Sequence, residues 1–253
     1  MPRTARGKSS TKIYHIVLRG INRQNIFEND EDFTKLLQTL EVYKKKSGFE
    51  IYAYCLMSNH IHLLIKEGKE DLGLIFRRIG ASYVYWYNWK YKRSGHLFQD
   101  RYKSEAVEDN EYFLTVLRYI HQNPVKAKIE KDIAKYKWSS YNEYIEKEKL
   151  CNTEFALGIF SGEKSIAVER YKKYMNEINE DKCMEICDGR YRLTDEEAKE
   201  IIRKVSKCTS ATEFQKLDTK KRDSYLKKIK DKGISTRQLA RLTGISRVII
   251  LKI

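Results

Sequence analysis

The sequence predicts an α+β fold: an antiparallel sheet with helices packed on one face, followed by a mostly α-helical C-terminal region. Three observations lead there. Up to about residue 125 the patterned segments run strand, helix, two adjacent strands, helix, strand, helix. Two strands joined by a short turn must pair antiparallel, because parallel pairing needs a long crossover. No glycine-rich phosphate loop is present, so a doubly wound nucleotide-binding sheet has no support.

Each element has a local cause. Lys12 to Arg19 alternates as a strand, and Gly20-Ile21-Asn22-Arg23 reads as a loop. Asp30 or Asp32 can cap a helix carrying Phe33, Leu36, Leu37, Leu40 and Tyr43, and Gly48 ends it. Two strands follow, Glu50 to Leu56 and Asn59 to Lys66, around a turn at Met57-Ser58. Leu72 to about Tyr91 holds Leu74, Ile75, Arg78, Ile79, Ser82, Tyr83 and Trp86 in helical register until Gly95. His96 to Val107 is expected as a strand and Asn110 to Gln122 as a helix stopped by Pro124. From Lys126 to about Lys232 the chain is mostly polar helix and loop. Trp138-Ser139-Ser140-Tyr141 and the stretch from Phe155 to Phe160 are its apolar anchors.

Composition narrows the class of function. Of 253 residues, 41% are hydrophobic, enough for a real core, and 34% are charged. Mean hydropathy is −0.66. No apolar run reaches the ~18 to 20 residues of a spanning helix, and the start lacks the apolar centre of a signal peptide. A cytoplasmic protein is expected. The net charge of +15 favours a polyanionic partner, because Lys and Arg release counterions condensed on phosphates. Charge alone does not choose between DNA, RNA and anionic lipid. The cysteines Cys55, Cys151, Cys183, Cys187 and Cys208 form no zinc pattern and are read as reduced structural thiols.

The most informative segment is Asn59-His60-Ile61-His62-Leu63-Leu64-Ile65. On a strand, His60 and His62 share one face while Ile61, Leu63 and Ile65 take the other. Two imidazoles so placed can converge on one metal ion, although histidines on the solvent face of a strand are ordinary. The helix after Asn110 strengthens the metal reading. Phe113, Leu117 and Ile120 form its inward stripe, and Tyr119 and Asn123 lie one turn apart beside it. The carboxamide of Asn123 can be a third ligand and Tyr119 a nucleophile; the alternative is a Tyr119 that flanks the core and an Asn123 that caps the helix. A phenol with a reference pKa of about 10 needs a base or cation to attack at neutral pH. Zinc suits imidazole, while Mg²⁺ or Mn²⁺ is usual in phosphoryl chemistry, and the ligands leave that choice open.

Four blocks in order carry a resemblance. They are Arg19-Gly20-Ile21-Asn22-Arg23, Met57-Ser58-Asn59-His60-Ile61-His62-Leu63, Gly95-His96-Leu97-Phe98-Gln99-Asp100-Arg101-Tyr102 and Arg118-Tyr119-Ile120-His121-Gln122-Asn123-Pro124-Val125-Lys126. Together they resemble the single-tyrosine transposases of the HUH superfamily, the insertion-sequence-200-like enzymes, and most of all REP-associated tyrosine transposases. The resemblance covers roughly residues 1–145 and implies a ferredoxin-like sheet on which the histidine strand and tyrosine helix meet over Mg²⁺ or Mn²⁺. By position, His60, His62 and Asn123 match the ligands, and Tyr119 matches the nucleophile that forms a 5′-phosphotyrosine and frees a 3′-hydroxyl. His121 should point elsewhere on the helix. The implied partner is single-stranded or hairpin DNA, with no membrane and no nucleotide cofactor. Monomer or homodimer, and tyrosine action in cis or in trans, stay open.

Basic residues supply candidate DNA contacts. The resemblance matches Arg3, Arg6 and Lys8 to a hairpin-reading N-terminal arm. Arg77, Arg78, Arg101 and Lys103 could meet phosphates, with simple solvated charge as the common alternative, and Arg19 and Arg23 are further candidate DNA contacts. Within Tyr83 to Arg93, Tyr83, Trp86 and Tyr87 are expected to pack inward, leaving Tyr85, Trp89 and Lys92 for bases and phosphates. Gly233 to Arg247 has helix-turn-helix grammar. Ser235 and Gln238 form a capping box, Leu239, Ala240 and Leu242 face inward, Gly244 turns the chain and Ser246 caps a second helix. Arg237 and Arg247 would then face DNA, as in the C-terminal helices of replication initiators that this segment resembles; a plain packing hairpin is the alternative. The expected organisation is 1–145 transposase domain, 146–230 helical connection and 231–253 DNA-binding segment. The leading reading is a metal-dependent enzyme that nicks and rejoins single-stranded DNA in transposition. Its alternatives are a non-catalytic hairpin-binding regulator and a hydrolase using activated water, which would not need Tyr119.

Overall fold

The strand and helix order expected up to residue 125 is present, and the pairing turns it into a specific topology. A computed structural model describes residues 7–184, 193 and 195–253. Arg3 and Arg6 of the expected arm, and Cys187, lie outside the described residues. Two units divide the chain, Met1–Ile186 and Cys187–Ile253.

In the first unit, β1 (Ile13–Arg19), α1 (Asp30–Ser47), β2 (Glu50–Met57), β3 (His60–Lys66), α2 (Leu72–Lys90) and β4 (Lys103–Val107) follow in order. The sheet runs β2-β3-β1-β4 with every neighbouring pair antiparallel, the βαββαβ arrangement of a ferredoxin-like fold. The α+β class read from the sequence is therefore present.

One detail differs: helices cover both faces. Ile16, Leu18, Leu56, Ile61, Leu63 and Ile65 bury one face against α1 and α2. Ala53, Cys55, Met57, Leu64 and Val107 meet α3 (Asn110–Lys126) and its successors, α4 (Glu154–Phe160) and α5 (Lys164–Met175), on the other. Both faces are apolar at the centre, so a single helical layer would leave one of them in water.

Element ends also move for physical reasons. Asn29, not Asp30 or Asp32, caps α1, and the Asp32 carboxylate closes the turn by accepting the Glu28 and Asn29 N–H groups at 2.6 and 3.2 Å. Only Lys103–Val107 of the expected 96–107 strand forms a ladder. The preceding segment makes an isolated bridge from Phe98 to Gly20 and sinks Leu97 fully into the core. α3 runs through Pro124 to Lys126. A proline in the last turn forfeits one backbone bond, while the Ala127 N–H still reaches the Asn123 carbonyl at 2.9 Å and the proline ring is buried. Trp138 to Ser140 bridges the outer edge of β2, covering backbone groups that would otherwise be exposed.

The second unit holds α6 (Asp195–Ser206), α7 (Ala211–Gln215), α8 (Thr219–Asp231), α9 (Thr236–Thr243) and α10 (Arg247–Lys252) around Phe214, Leu226, Ile229 and Leu239. Gly244 has φ +69 between α9 and α10, a left-handed conformation that favours glycine. The expected capping box is half formed. Ser235 accepts the Gln238 N–H at 3.2 Å, but the Gln238 amide donates to Leu193 O at 2.8 Å and to Asp195 at 2.9 Å. The Gln238 side chain is thereby turned to the charged Asp195 carboxylate and does not accept the Ser235 N–H. Among the described residues, no helix is long and apolar enough to cross a membrane.

Candidate active site

Strand alternation on β3 sends Ile61, Leu63 and Ile65 into the core beneath α1 and α2, and turns His60 and His62 to the face that α3 covers. Register then decides their neighbours. On β1, Arg19 lies opposite His60 and Val17 opposite His62. On β4, Lys103 lies opposite Val17 and Glu105 opposite His15, which places all four on this face. The Gly20–Arg23 loop is pinned to the turn before His60 by the Gly20 N–H to Asn59 O bond at 2.9 Å. Gly20 is obligatory there, because a Cβ would meet the Gln24 carbonyl oxygen at 2.2 Å.

α3 begins where Asp109 accepts the Tyr112 N–H at 2.7 Å. Its buried stripe of Phe113, Val116, Leu117 and Ile120 seats it on the sheet and fixes where the next stripe falls. Tyr119, 5% exposed, lies with its ring centroid 5.6 Å from that of His62 and 5.8 Å from that of His15. The Lys126 ammonium is 5.5 Å from the Tyr119 ring. One turn on, the Asn123 amide nitrogen is 3.4 Å from His62 Nε2.

Both imidazoles are held from behind. His60 Nδ1 is 2.6 Å from Asn59 Oδ1, and the Asn59 amide nitrogen donates to Arg23 O at 3.3 Å, which fixes the oxygen toward the ring. His60 therefore carries its proton on Nδ1 and keeps Nε2 as an acceptor. Burial pushes His60 down to about 4, assisted by Arg19 and opposed by its Asn123 hydrogen bond. His62 is driven well below its ordinary value by burial, with His15 and His60 adding to the effect. Both rings are neutral at pH 7, the form that binds metals.

Two neutral imidazoles and a carboxamide meeting at one point fit a divalent cation. Among the described residues no group of three or more His, Cys, Asp or Glu is arranged to hold a metal.

The other sequence candidates are distributed around and away from this point. Arg19 and Lys103 flank the histidines on the sheet, and Lys8, Arg23 and Arg101 are exposed. Arg237 and Arg247 are exposed in the second unit. His121 points away from the site: it is fully buried, bonded to Ser140 Oγ at 2.8 Å and Tyr171 OH at 3.0 Å, and burial pushes it down to about 3. On α2, Tyr83 and Tyr87 are buried, while Tyr85 and Trp89 are 78% and 72% exposed. Sequence reasoning missed His15 and Glu105. The available signal was a lone histidine within the apolar run Ile13-Tyr14-His15-Ile16-Val17.

With this geometry established, comparison with known proteins supplies a context. Residues 8–123 match the family described as transposase IS200 like, a span that contains His60, His62, Tyr119 and Asn123. Among solved structures the chain is similar to a REP-associated tyrosine transposase bound to a REP hairpin. That similarity has a TM-score of 0.51 and 19% identity, covering 57% of this chain and 86% of that chain. A candidate transposase from Deinococcus radiodurans R1 aligns with 16% identity over 51% of this chain and 97% of that chain, at a TM-score of 0.34 that carries no argument. No curated protein matches the chain.

Proposed function

Residues 8–123 match the IS200-like transposases, and from that premise we propose that this protein nicks and rejoins single-stranded hairpin DNA through a covalent bond to Tyr119. The observation that supports it most is the convergence of Tyr119, Asn123, His60 and His62 on one face of the sheet, with the phenol ring 5.6 Å from His62. A hydrolase acting through water would have no use for a tyrosine there.

In this reading the Tyr119 oxygen attacks the phosphorus of a DNA phosphodiester. The bond from phosphorus to the 3′ oxygen breaks, that oxygen takes a proton, and a 5′-phosphotyrosine remains. Attack by a 3′-hydroxyl on the same phosphorus rejoins the strand and returns Tyr119. His60, His62 and Asn123 would hold a divalent cation, Mg²⁺ or Mn²⁺, which when bound would polarise the phosphate and offset charge on its oxygens. Lys126 beside the ring favours the phenolate as the proton leaves. Arg19 and Lys103 would meet phosphates beside the scissile one, and Lys8, Arg23 and Arg101 would track the flanking strand. Arg3 and Arg6 would extend that track.

The second unit is a DNA-contacting module in the same reading. Ser246 accepts the Val248 N–H at 3.3 Å, starting α10 with Arg247 exposed at its first position, and Arg237 is exposed on α9. Such a protein would work at the nucleoid, in the cytoplasm.

Incubation with single-stranded hairpin oligonucleotides and Mn²⁺ or Mg²⁺, followed by a denaturing gel, tests the proposal. A covalent protein–DNA adduct is expected from wild type and none from Tyr119→Phe. Cleavage without an adduct refutes the tyrosine mechanism, and tight binding without cleavage points to a non-catalytic hairpin-binding regulator.

A further inference from the structure

His15 is fully buried on β1 and belongs to none of the ligand or nucleophile positions, yet it touches the centre of the site. Its Nε2 is 3.0 Å from His62 Nδ1, with the two rings stacked at a centroid separation of 5.3 Å. Its Nδ1 makes no hydrogen bond and faces Glu105 Oε2 at 3.8 Å. That same carboxylate oxygen accepts the Tyr112 hydroxyl at 2.6 Å and the Met184 N–H at 3.1 Å, so Glu105 is held in place from two directions.

The order of these groups dictates where the protons sit. A carboxylate only accepts, and at 3.8 Å its field favours a proton on the ring nitrogen that faces it. His15 then carries hydrogen on Nδ1 and has a bare Nε2. A bare Nε2 must accept, so His62 donates from Nδ1. His62 Nε2 is left with its lone pair directed at the amide of Asn123, whose nitrogen is the atom facing it. The reverse order would set a ring lone pair against the Glu105 carboxylate. It would also place a proton on His62 Nε2, where a metal could not bind.

We propose that His15 and Glu105 are positioning residues that lock His62 in the Nδ1–H tautomer and aim its Nε2 at the cation site. The inference rests on the reading of His62 as a metal ligand. It gives a buried histidine and a carboxylate on two different strands a single purpose. Partners of this kind behind a ligating histidine typically change metal affinity about 10- to 100-fold when removed.

Two measurements on the full-length chain test it. The first is ¹⁵N-histidine NMR of metal-free protein, which reads each ring's tautomer directly. Wild type is expected to show His15 and His62 protonated at Nδ1. In His15→Leu, His62 should lose that preference and populate both tautomers. An Nε2–H tautomer at His62 in wild type overturns the proposal.

The second is Mn²⁺ affinity measured by electron paramagnetic resonance. His15→Leu and Glu105→Ala are each expected to bind about 10- to 100-fold more weakly. His15→Gln, whose carboxamide oxygen can still accept from His62 Nδ1, should recover part of the loss, which a mere packing role for His15 would not produce. Glu105→Ala alters a partly exposed side chain and keeps the test valid if His15→Leu does not fold. Unchanged affinity in both His15→Leu and Glu105→Ala, with His60→Ala abolishing binding, overturns the positioning chain alone. Wild type that binds no Mn²⁺ overturns the metal reading beneath it.

Discussion

His121 makes the stability of the first unit depend on pH in a way that can be isolated. The ring is fully buried among Tyr141, Tyr144 and Tyr171, with Ser140 and Tyr171 as its hydrogen-bond partners. Burial lowers its pKa from 6.5 to about 3. Because the folded value lies below the unfolded one, the unfolded chain takes up the proton first. Stability that is present above pH 6.5 is therefore lost progressively as pH falls toward 3. For one such group, the loss between pH 7 and pH 5.5 is about 1.3 kcal/mol. The assay is urea unfolding at those two pH values, followed by tryptophan fluorescence. All three tryptophans, Trp86, Trp89 and Trp138, belong to the first unit, so the signal reports on it. His121→Gln can keep a hydrogen bond to Ser140 and has no proton to gain. It is expected to shrink the difference between the two pH values by about 1.3 kcal/mol, whatever it costs at pH 7. The other buried histidines contribute equally to both proteins and cancel. If His121→Gln loses as much stability between pH 7 and pH 5.5 as wild type, the buried neutral ring is not a source of the pH dependence.

Three further outcomes follow from other parts of the structure. Glu143 accepts the Tyr54 hydroxyl on one oxygen and the N–H groups of Lys149, Leu150 and Cys151 on the other, so Glu143→Gln should cost the first unit about 2–4 kcal/mol in denaturant unfolding; a loss under about 0.5 kcal/mol would show that these bonds are dispensable. Removing divalent cations with EDTA should abolish adduct formation, and His60→Ala with His62→Ala should do the same while hairpin binding persists in a filter assay; cleavage that survives both would refute the metal reading. Arg237→Ala with Arg247→Ala should lower the slope of log affinity against log salt for duplex DNA by about 1.8, if each arginine neutralises one phosphate, and an unchanged slope would remove the second unit from duplex contact.

Much of the candidate site was legible because its cues are local. His60 and His62 share a face by the two-residue period of a strand, and Tyr119 and Asn123 share one by the turn of a helix. Neither relation needs knowledge of any other segment. The α+β class follows similarly from the order of the periods, and the chain reversal at Gly244 from one residue type. Reading Pro124 as a stop went astray because a propensity rule was applied without the tertiary partner: the buried proline ring is held on the sheet, and the turns beyond it still close. The half-formed capping box at Ser235 has the same origin, since Asp195 competes for Gln238 from 43 residues away.

The sequence by itself determined which residues could act together within one element: the histidine pair, the tyrosine with its asparagine, and the apolar stripes that bury each helix. Only the tertiary structure decided which elements meet. The β1–β3 and β1–β4 registers set His15 between His62 and Glu105, and the second apolar face of the sheet drew α3 across it to bring Tyr119 to the histidines. The physical reason is that periodicity is a property of one backbone segment. A cross-strand register or a docked helix is instead a minimum over burial and hydrogen bonding shared by segments far apart in the chain.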